Sequence, residues 1–115
     1  MINEYRVYQL KVGGLATYLA AFEELALPLV RRHMLLLGFW TSDTGPLNCV
    51  HHLWAFEDMT RREQRFAALR SEPIYRDEFL PAAAPLILHM TSQLLQPVGF
   101  MRNLPLGNIN CEMIG

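Results

Sequence analysis

The sequence predicts a single α+β domain in which helices cover one face of a four-stranded antiparallel sheet. The length of 115 residues suits one domain. Four short segments are rich in β-branched, aromatic and other apolar residues and are bounded by turn residues, as strands are. Segments with apolar residues at helical spacing separate the first strand from the second and the third from the fourth. The resulting β-α-β-β-α-β order is the split βαβ pattern of ferredoxin-like domains.

The first strand and the first helix follow directly from periodicity. Residues 3–11 alternate along a strand that ends at Gly13-Gly14 and carries on one face Arg6, Tyr8 and Leu10. Residues 15–33 carry one apolar stripe at helical spacing and predict a long helix. Pro28 lies inside this helix and should kink or interrupt it, because proline lacks a backbone N–H.

The middle of the chain predicts a hairpin with apolar residues on both of its faces. Residues 36–42 and 49–56 are its strands, and a Gly-Pro turn within 43–48 joins them. Neither face of the strand 49–56 is suited to water. We therefore expect the free face of the sheet to pack against a second copy of the chain, in a homodimer or a larger oligomer.

The last part of the chain predicts a second helix, a fourth strand and an apolar tail. A Thr-x-x-Glu sequence at 60–63 is a capping box and predicts a helix over residues 60–71. A shorter helical piece follows Pro73, and residues 87–95 predict the fourth strand. The charge pattern predicts a solvated face for Arg61, Arg62 and Arg65. The tail 101–115 is apolar enough that we expect it to contact a neighbouring subunit.

The overall composition argues against several classes of protein. A net charge of −1 and a pI of about 6.4 do not suit a nucleic-acid-binding protein. The N-terminus predicts a strand rather than a signal peptide, and no apolar run reaches the length of a membrane span. Cys49 and Cys111 are too far apart in the sequence to suggest a disulfide framework. We therefore expect a cytoplasmic protein that does not insert into membranes.

Three stretches of the sequence resemble the NIPSNAP family. They are RVYQLKVG at 6–13, LLGFW at 36–40 and GPLNCVHHLWAFEDM at 45–59. The resemblance covers about residues 4–100, and the block from Gly-Pro-Leu-Asn to His-Leu-Trp is its most specific part. It implies a ferredoxin-like domain over residues 1–100 that pairs as a dimeric α/β barrel, followed by the tail 101–115.

The resemblance implies two different kinds of function. Eukaryotic NIPSNAP proteins are linked to mitochondria and to adaptor roles in vesicle traffic or mitophagy. Similar small barrels in other families are oxygenases that act on polycyclic aromatic substrates without a cofactor. If this chain is an enzyme, the resemblance therefore implies oxygenase-like or isomerase-like chemistry with no cofactor.

The two adjacent histidines of the third strand do not form a metal site. Side chains of neighbouring strand residues point to opposite faces, so His51 and His52 cannot bind the same ion. We expect no metal. His52 is the histidine that matches the family motif, and it is our candidate for acid or base catalysis. The alternative is a core histidine with both ring nitrogens hydrogen-bonded.

Five further residues are candidates for binding a ligand. Arg6 lies in an apolar strand and needs either an acidic partner or a bound anion. If the first and third strands are neighbours, Arg6, Tyr8, His52 and Trp54 could line one patch suited to an aromatic, partly anionic ligand. The other two candidates are Trp40, which offers a stacking surface or fills the core, and Asn48, whose first role is to shape the turn.

Two classes of function follow from these residues. In the first, a homodimeric barrel binds a small apolar or aromatic molecule in a pocket reached by Arg6 or His52. One form of this hypothesis has an anionic ligand. In the second, the chain is a non-catalytic assembly or adaptor protein whose aromatic residues serve only the core and the dimer interface. An enclosed cavity beside these side chains would favour the first class over the second.

Overall fold

The computed structural model describes residues 1–101, which form a four-stranded antiparallel sheet with helices packed on one face. The strands are β1 (Ile2–Leu10), β2 (Leu35–Thr41), β3 (Cys49–Phe56) and β4 (Ile87–Leu95). The helices are α1 (Leu15–Ala21), α2 (Leu27–His33), α3 (Met59–Ser71) and α4 (Leu80–Ala83). The strand order β2-β3-β1-β4 confirms the predicted α+β, ferredoxin-like fold. Except for Met101, the predicted tail 101–115 lies outside the described residues.

The helix predicted over residues 15–33 is two α-helices joined by a wide turn. A π-helical turn, Phe22–Ala26, lies between α1 and α2, and the amide of Leu27 donates to the carbonyl of Phe22, five residues back. Pro28 follows directly and has no N–H to continue the α-helical ladder. The same arrangement recurs ahead of Pro81, where a second π-helical turn, Tyr75–Phe79, precedes α4. The interruption predicted at Pro28 therefore takes the form of a widened turn before the proline.

The N-cap of α3 differs from the predicted capping box. The helix begins at Met59, and the side chain of Asp58 accepts a hydrogen bond of 2.7 Å from the backbone N–H of Arg61. Asp58 is thus the N-cap, and Thr60 lies within the first turn of the helix. An aspartate in this position also places its negative charge at the positive end of the helix dipole, which favours it over the predicted threonine.

The register of the central strands places the predicted residues side by side. Arg6 of β1 lies opposite His52 of β3, and Glu4 lies opposite Trp54. On the other side of β1, Ser92 of β4 is the partner of Arg6. Because alternate residues share a face, these side chains all lie on the helix-covered face of the sheet.

Within residues 1–101, none of the helices α1–α4 covers the opposite face of the sheet. Its side chains include Tyr5, Val7, His51 and Leu53, which are half-buried, and Trp40, which is 51% exposed. The imidazole of His51 is hydrogen-bonded there through both ring nitrogens. Its Nδ1 lies 2.6 Å from the hydroxyl of Tyr5, and its Nε2 lies 2.7 Å from the hydroxyl of Ser42. This outer face therefore combines apolar side chains with a hydrogen-bonded histidine.

Candidate functional site

A cavity of about 590 Å³ lies between the sheet and the helices. The sheet contributes Arg6, Tyr8, His52 and Trp54 to its wall, four residues that the sequence placed on one patch. The helices and turns contribute mostly aromatic and aliphatic side chains, among them Tyr18, Phe22, Phe66, Leu69, Tyr75 and Phe79. This size, together with an apolar wall and a few polar groups, is typical of small-molecule sites.

His52 is a deeply buried titratable group in the wall of this cavity, at 2% exposure. Its ring stacks on Phe39 with a centroid distance of 4.8 Å and makes a T-shaped contact with Tyr8, whose centroid lies 4.7 Å away. Burial, aided by the positive charge of Arg6, lowers the pKa of His52 to about 3. The imidazole is therefore neutral near pH 7.

Trp54 determines which nitrogen of this neutral ring carries the proton. Its indole Nε1 lies 3.3 Å from Nδ1 of His52. An indole N–H can only donate, so Nδ1 accepts and the proton is on Nε2. Within residues 1–101, that buried Nε2 has no hydrogen-bond partner. A buried donor without a partner is costly, and an acceptor atom of a ligand would satisfy it.

Three phenols add further polar groups to the cavity. Tyr8, Tyr18 and Tyr75 all line it, and within the described part of the chain none of their hydroxyls makes a hydrogen bond. Burial raises the pKa of each phenol, so all three are neutral donors at physiological pH. Together with His52, they form a set of donors suited to a ligand with acceptor oxygens.

Arg6 belongs to a network centred on the carboxylate of Glu4. Glu4 is fully buried and accepts hydrogen bonds from Arg62 at 2.7 and 3.3 Å and from the hydroxyl of Ser92 at 2.6 Å. The Nε of Arg6 lies 3.7 Å from the same carboxylate, too far for a hydrogen bond. Burial acts to raise the pKa of Glu4, but the hydrogen bonds of Arg62 and Ser92 and the two positive charges outweigh it and lower the pKa.

The structure places two of the predicted ligand-binding residues away from this cavity. Trp40 lies on the outer face, where its indole covers Gly38 so closely that a Cβ there would be 2.2 Å from the ring. Asn48 adopts a left-handed conformation with φ of 60° just before β3, and its carbonyl accepts from the amide of Leu10. The cavity gives no support for a role of Trp40 or Asn48 in the same site.

The described residues contain no cluster suited to a metal ion. Nowhere in residues 1–101 do three His, Cys, Asp or Glu side chains come together as ligands. His51 and His52 lie on opposite faces of β3, as strand geometry predicts. Over the same residues, no helix is both long and apolar enough to pass through a bilayer.

Several residues of the site carry no signal in the sequence. Tyr18 and Tyr75 look like members of apolar helix faces, and only the fold shows that both line the same cavity as Tyr8. Glu4 and Arg62 are 58 positions apart and form an ion pair that no local spacing reveals. For Arg62 the prediction of a solvated face is wrong, because its guanidinium reaches inward to the buried carboxylate.

Comparison with known proteins identifies relatives over almost all of the described chain. The model of the NIPSNAP family matches residues 3–102. The curated protein NipSnap homolog 2 of Danio rerio is 35% identical over 106 residues, or 91% of this chain and 35% of that protein. The chain thus spans about a third of the length of the curated relatives it matches.

Solved structures agree with the fold and with the family. A NIPSNAP domain protein from Burkholderia xenovorans has a TM-score of 0.81 at 30% identity, covering 87% of this chain and 97% of that one. The structure of an antibiotic biosynthesis monooxygenase has a TM-score of 0.65 at 17% identity, covering 85% of this chain and 99% of that one, and shows the same fold. With the family motif, the sheet topology and these relatives in agreement, the chain belongs to the NIPSNAP family.

Proposed function

We propose that this protein binds a small apolar or aromatic molecule in the cavity between its sheet and helices, and does so as a homodimer. The observation that carries the proposal is the buried Nε2–H of His52, which faces no acceptor within residues 1–101 although its ring lines the cavity. Tyr8, Tyr18 and Tyr75 supply three more donors in the same wall, none of them hydrogen-bonded within the described residues. A ligand oxygen would satisfy groups that the protein itself leaves unsatisfied.

Among the roles considered for His52, the geometry favours hydrogen-bond donation. A pKa near 3 makes proton uptake at neutral pH unfavourable, whereas a neutral Nε2–H can polarise a carbonyl or stabilise an oxyanion. The role of His52 as an acid or base stays a prediction. Arg6 and Tyr8 remain the candidates for the polar end of the ligand, and Trp54 for positioning the imidazole and packing against the apolar part.

The homodimer is supported by the chemistry of the outer sheet face. Trp40 of β2 and Leu95 of β4 are 51% and 44% exposed there. Leu53 and Val7 lie half-buried on the two central strands between them. Exposed apolar side chains on one contiguous sheet face are typical of an interface. A second sheet packed on this face would bury them and leave the ligand cavity of each protomer on the other side.

An assembly or adaptor protein without a ligand would not need the cavity donors. In such a protein, selection for stability alone favours apolar side chains at these positions, because unpaired buried polar groups destabilise the fold. The buried Nε2–H of His52, which faces no acceptor within residues 1–101, therefore favours the binding proposal over the adaptor alternative.

Native mass spectrometry of freshly purified protein tests the oligomer and the ligand together. We expect the mass of a dimer carrying a small molecule, and we expect aromatic acids to raise the Tm of ligand-free protein. Tyr18→Phe removes a cavity hydroxyl and should weaken that stabilisation. The matched variant Tyr5→Phe changes a phenol on the outer face and should not. A ligand-free protein whose Tm no aromatic or aliphatic compound changes would contradict the proposal.

A further inference from the structure

Three guanidinium groups surround a single aromatic ring at the edge of the cavity. The Cζ atoms of Arg6, Arg62 and Arg70 lie 5.6, 5.1 and 5.6 Å from the centroid of Phe66. Between them is a second, smaller cavity of about 200 Å³, whose wall also includes Glu63. Arg6, Phe66 and Arg70 line both cavities, so the two are neighbours across the same side chains.

The carboxylate nearest to these arginines, that of Glu4, already accepts three hydrogen bonds. Glu4 accepts from two nitrogens of Arg62 and from Ser92, and its remaining ion pair is the 3.7 Å contact with Arg6. Glu63, on the exposed side of α3, is the other acidic residue in the wall of the smaller cavity. Three positive and two negative charges leave the cluster with an excess of one positive charge.

Two of the three arginines have hydrogen-bonding capacity to spare. The Nε of Arg6 is buried and donates no hydrogen bond within residues 1–101. In the same part of the chain, Arg70 has no ion pair and contacts the ring of Phe66. A guanidinium stacked on an aromatic face keeps its edge free for planar oxygen acceptors such as carboxylate and phosphate. The unused donors and the excess charge therefore fit an anion.

We infer that the ligand of this protein is an amphipathic anion, whose carboxylate or phosphate is held by Arg6 and Arg70 beside Phe66 while its apolar body fills the 590 Å³ cavity. The inference rests on the proposed function and adds to it that the negative charge is required. Glu4 and Arg62 act as positioning residues, since their ion pair fixes one side of the cluster. A neutral ligand could accept a hydrogen bond from the Nε of Arg6, but it would leave the excess positive charge of the cluster unpaired.

Paired probes that differ only in charge test this inference. Decanoate is compared with decanol, and 2-naphthoate with 2-naphthalenemethanol, by isothermal titration calorimetry on the ligand-free wild-type protein. We expect the acid of at least one pair to bind about tenfold more tightly than its alcohol, the difference that one charge-assisted hydrogen bond supplies. 2-Naphthyl phosphate then distinguishes a phosphate site from a carboxylate site.

Variants of α3 assign the effect to the cluster. Arg70→Gln should remove most of the preference for the acid, and Arg70→Lys should retain part of it, because lysine keeps the charge but not the planar fork. Arg61→Gln removes a positive charge from the same helix at a position that lines neither cavity, and it should leave the preference unchanged. Arg70 is exposed, so these substitutions are compatible with folding.

The outcomes separate this inference from the proposed function. If an acid and its alcohol bind with equal affinity, the cavity is a binding site but the anion requirement is wrong. Equal loss of the preference in Arg61→Gln and Arg70→Gln would likewise overturn the assignment, since it would indicate a long-range charge effect. If none of the acids, alcohols or phosphates binds, the proposed function fails and the inference fails with it.

Discussion

The indole Nε1 of Trp54 donates a hydrogen bond to Nδ1 of His52 on the same face of β3, across 3.3 Å. This contact assigns the proton of the neutral imidazole to Nε2, because an indole cannot accept. The ring is held in place by Phe39 on one side and Tyr8 at its edge. Trp54 thus fixes the tautomer of the buried histidine, and Phe39 and Tyr8 of the neighbouring strands hold its orientation.

Replacing Trp54 by phenylalanine should release this tautomer. Phenylalanine keeps an aromatic side chain but has no donor for Nδ1, so both neutral tautomers of His52 become accessible. Long-range ¹H–¹⁵N correlation spectra at pH 7 should show a single Nε2–H form in the wild-type protein and a mixture in Trp54→Phe. His51, bonded through both nitrogens on the other face, is the internal control. A charged or Nδ1–H form of His52 in the wild type would contradict the assignment.

The stability of the protein should fall on acidification below pH 6.5 because of His52. Its pKa is about 3 in the folded state and about 6.5 when unfolded, so the unfolded chain takes up the proton first. This difference favours the unfolded state by about 2 kcal/mol at pH 5 relative to pH 7. Urea denaturation at the two pH values measures it.

Two variants assign that pH dependence to a single residue. His52→Phe removes the titrating group and should lose about 2 kcal/mol of the difference between pH 7 and pH 5. His89→Gln, an exposed histidine of β4, should retain it. An unchanged pH dependence in His52→Phe would show that the imidazole of His52 titrates normally in the folded state.

The parts of the site that depend on strand geometry were predictable from the sequence. Alternation places Arg6 and Tyr8 on one face of β1, and the element order makes β1 and β3 neighbours. Those two rules allow Arg6 and His52 to share one patch, and the register of the structure then sets them opposite each other. Alternation also places His51 and His52 on opposite faces of β3, so the two adjacent histidines cannot act together in one site.

The parts that depend on helix packing could not be predicted in the same way. Tyr18 has the spacing of a core residue, and nothing local distinguishes a phenol that faces a cavity from one that fills the core. Arg62 sits among other arginines at the start of α3, a pattern typical of solvated faces, and its partner Glu4 lies 58 positions away. Long-range ion pairs of this kind depend on how α3 crosses the sheet, which no sequence spacing records.

The N-cap of α3 provides a direct test of where local sequence signals mislead. The structure assigns the cap to Asp58, whose carboxylate accepts from the amide of Arg61. Asp58→Ala should therefore lower the free energy of unfolding by about 1 kcal/mol, the usual value of an N-cap. Thr60→Ala should change the free energy of unfolding by only about 0.3 kcal/mol. If urea denaturation showed a larger loss for Thr60→Ala than for Asp58→Ala, Thr60 would be the N-cap and the predicted capping box would be correct.

The last prediction concerns the buried carboxylate that holds the arginine cluster together. Glu4→Gln keeps the shape of the side chain but leaves the charges of Arg62 and Arg6 facing a neutral amide. Removing one member of a buried ion pair destabilises a protein strongly, and because Arg62 is partly exposed we expect a loss of about 2 kcal/mol in the free energy of unfolding. The contribution of Glu4 is present above pH 4.5 and lost as the pH falls through its lowered folded-state pKa.

The exposed pair Glu57–Arg65 is the matched control for this measurement. Its carboxylate and guanidinium also make two hydrogen bonds, of 2.8 and 3.1 Å, but Glu57 is exposed to solvent. Glu57→Gln should therefore cost no more than about 1 kcal/mol, since water screens the pair. Urea denaturation of both variants at pH 7 compares them directly. Equal losses would mean that burial adds nothing to the Glu4 network, and Glu4 could then not be the residue that positions Arg6 and Arg62.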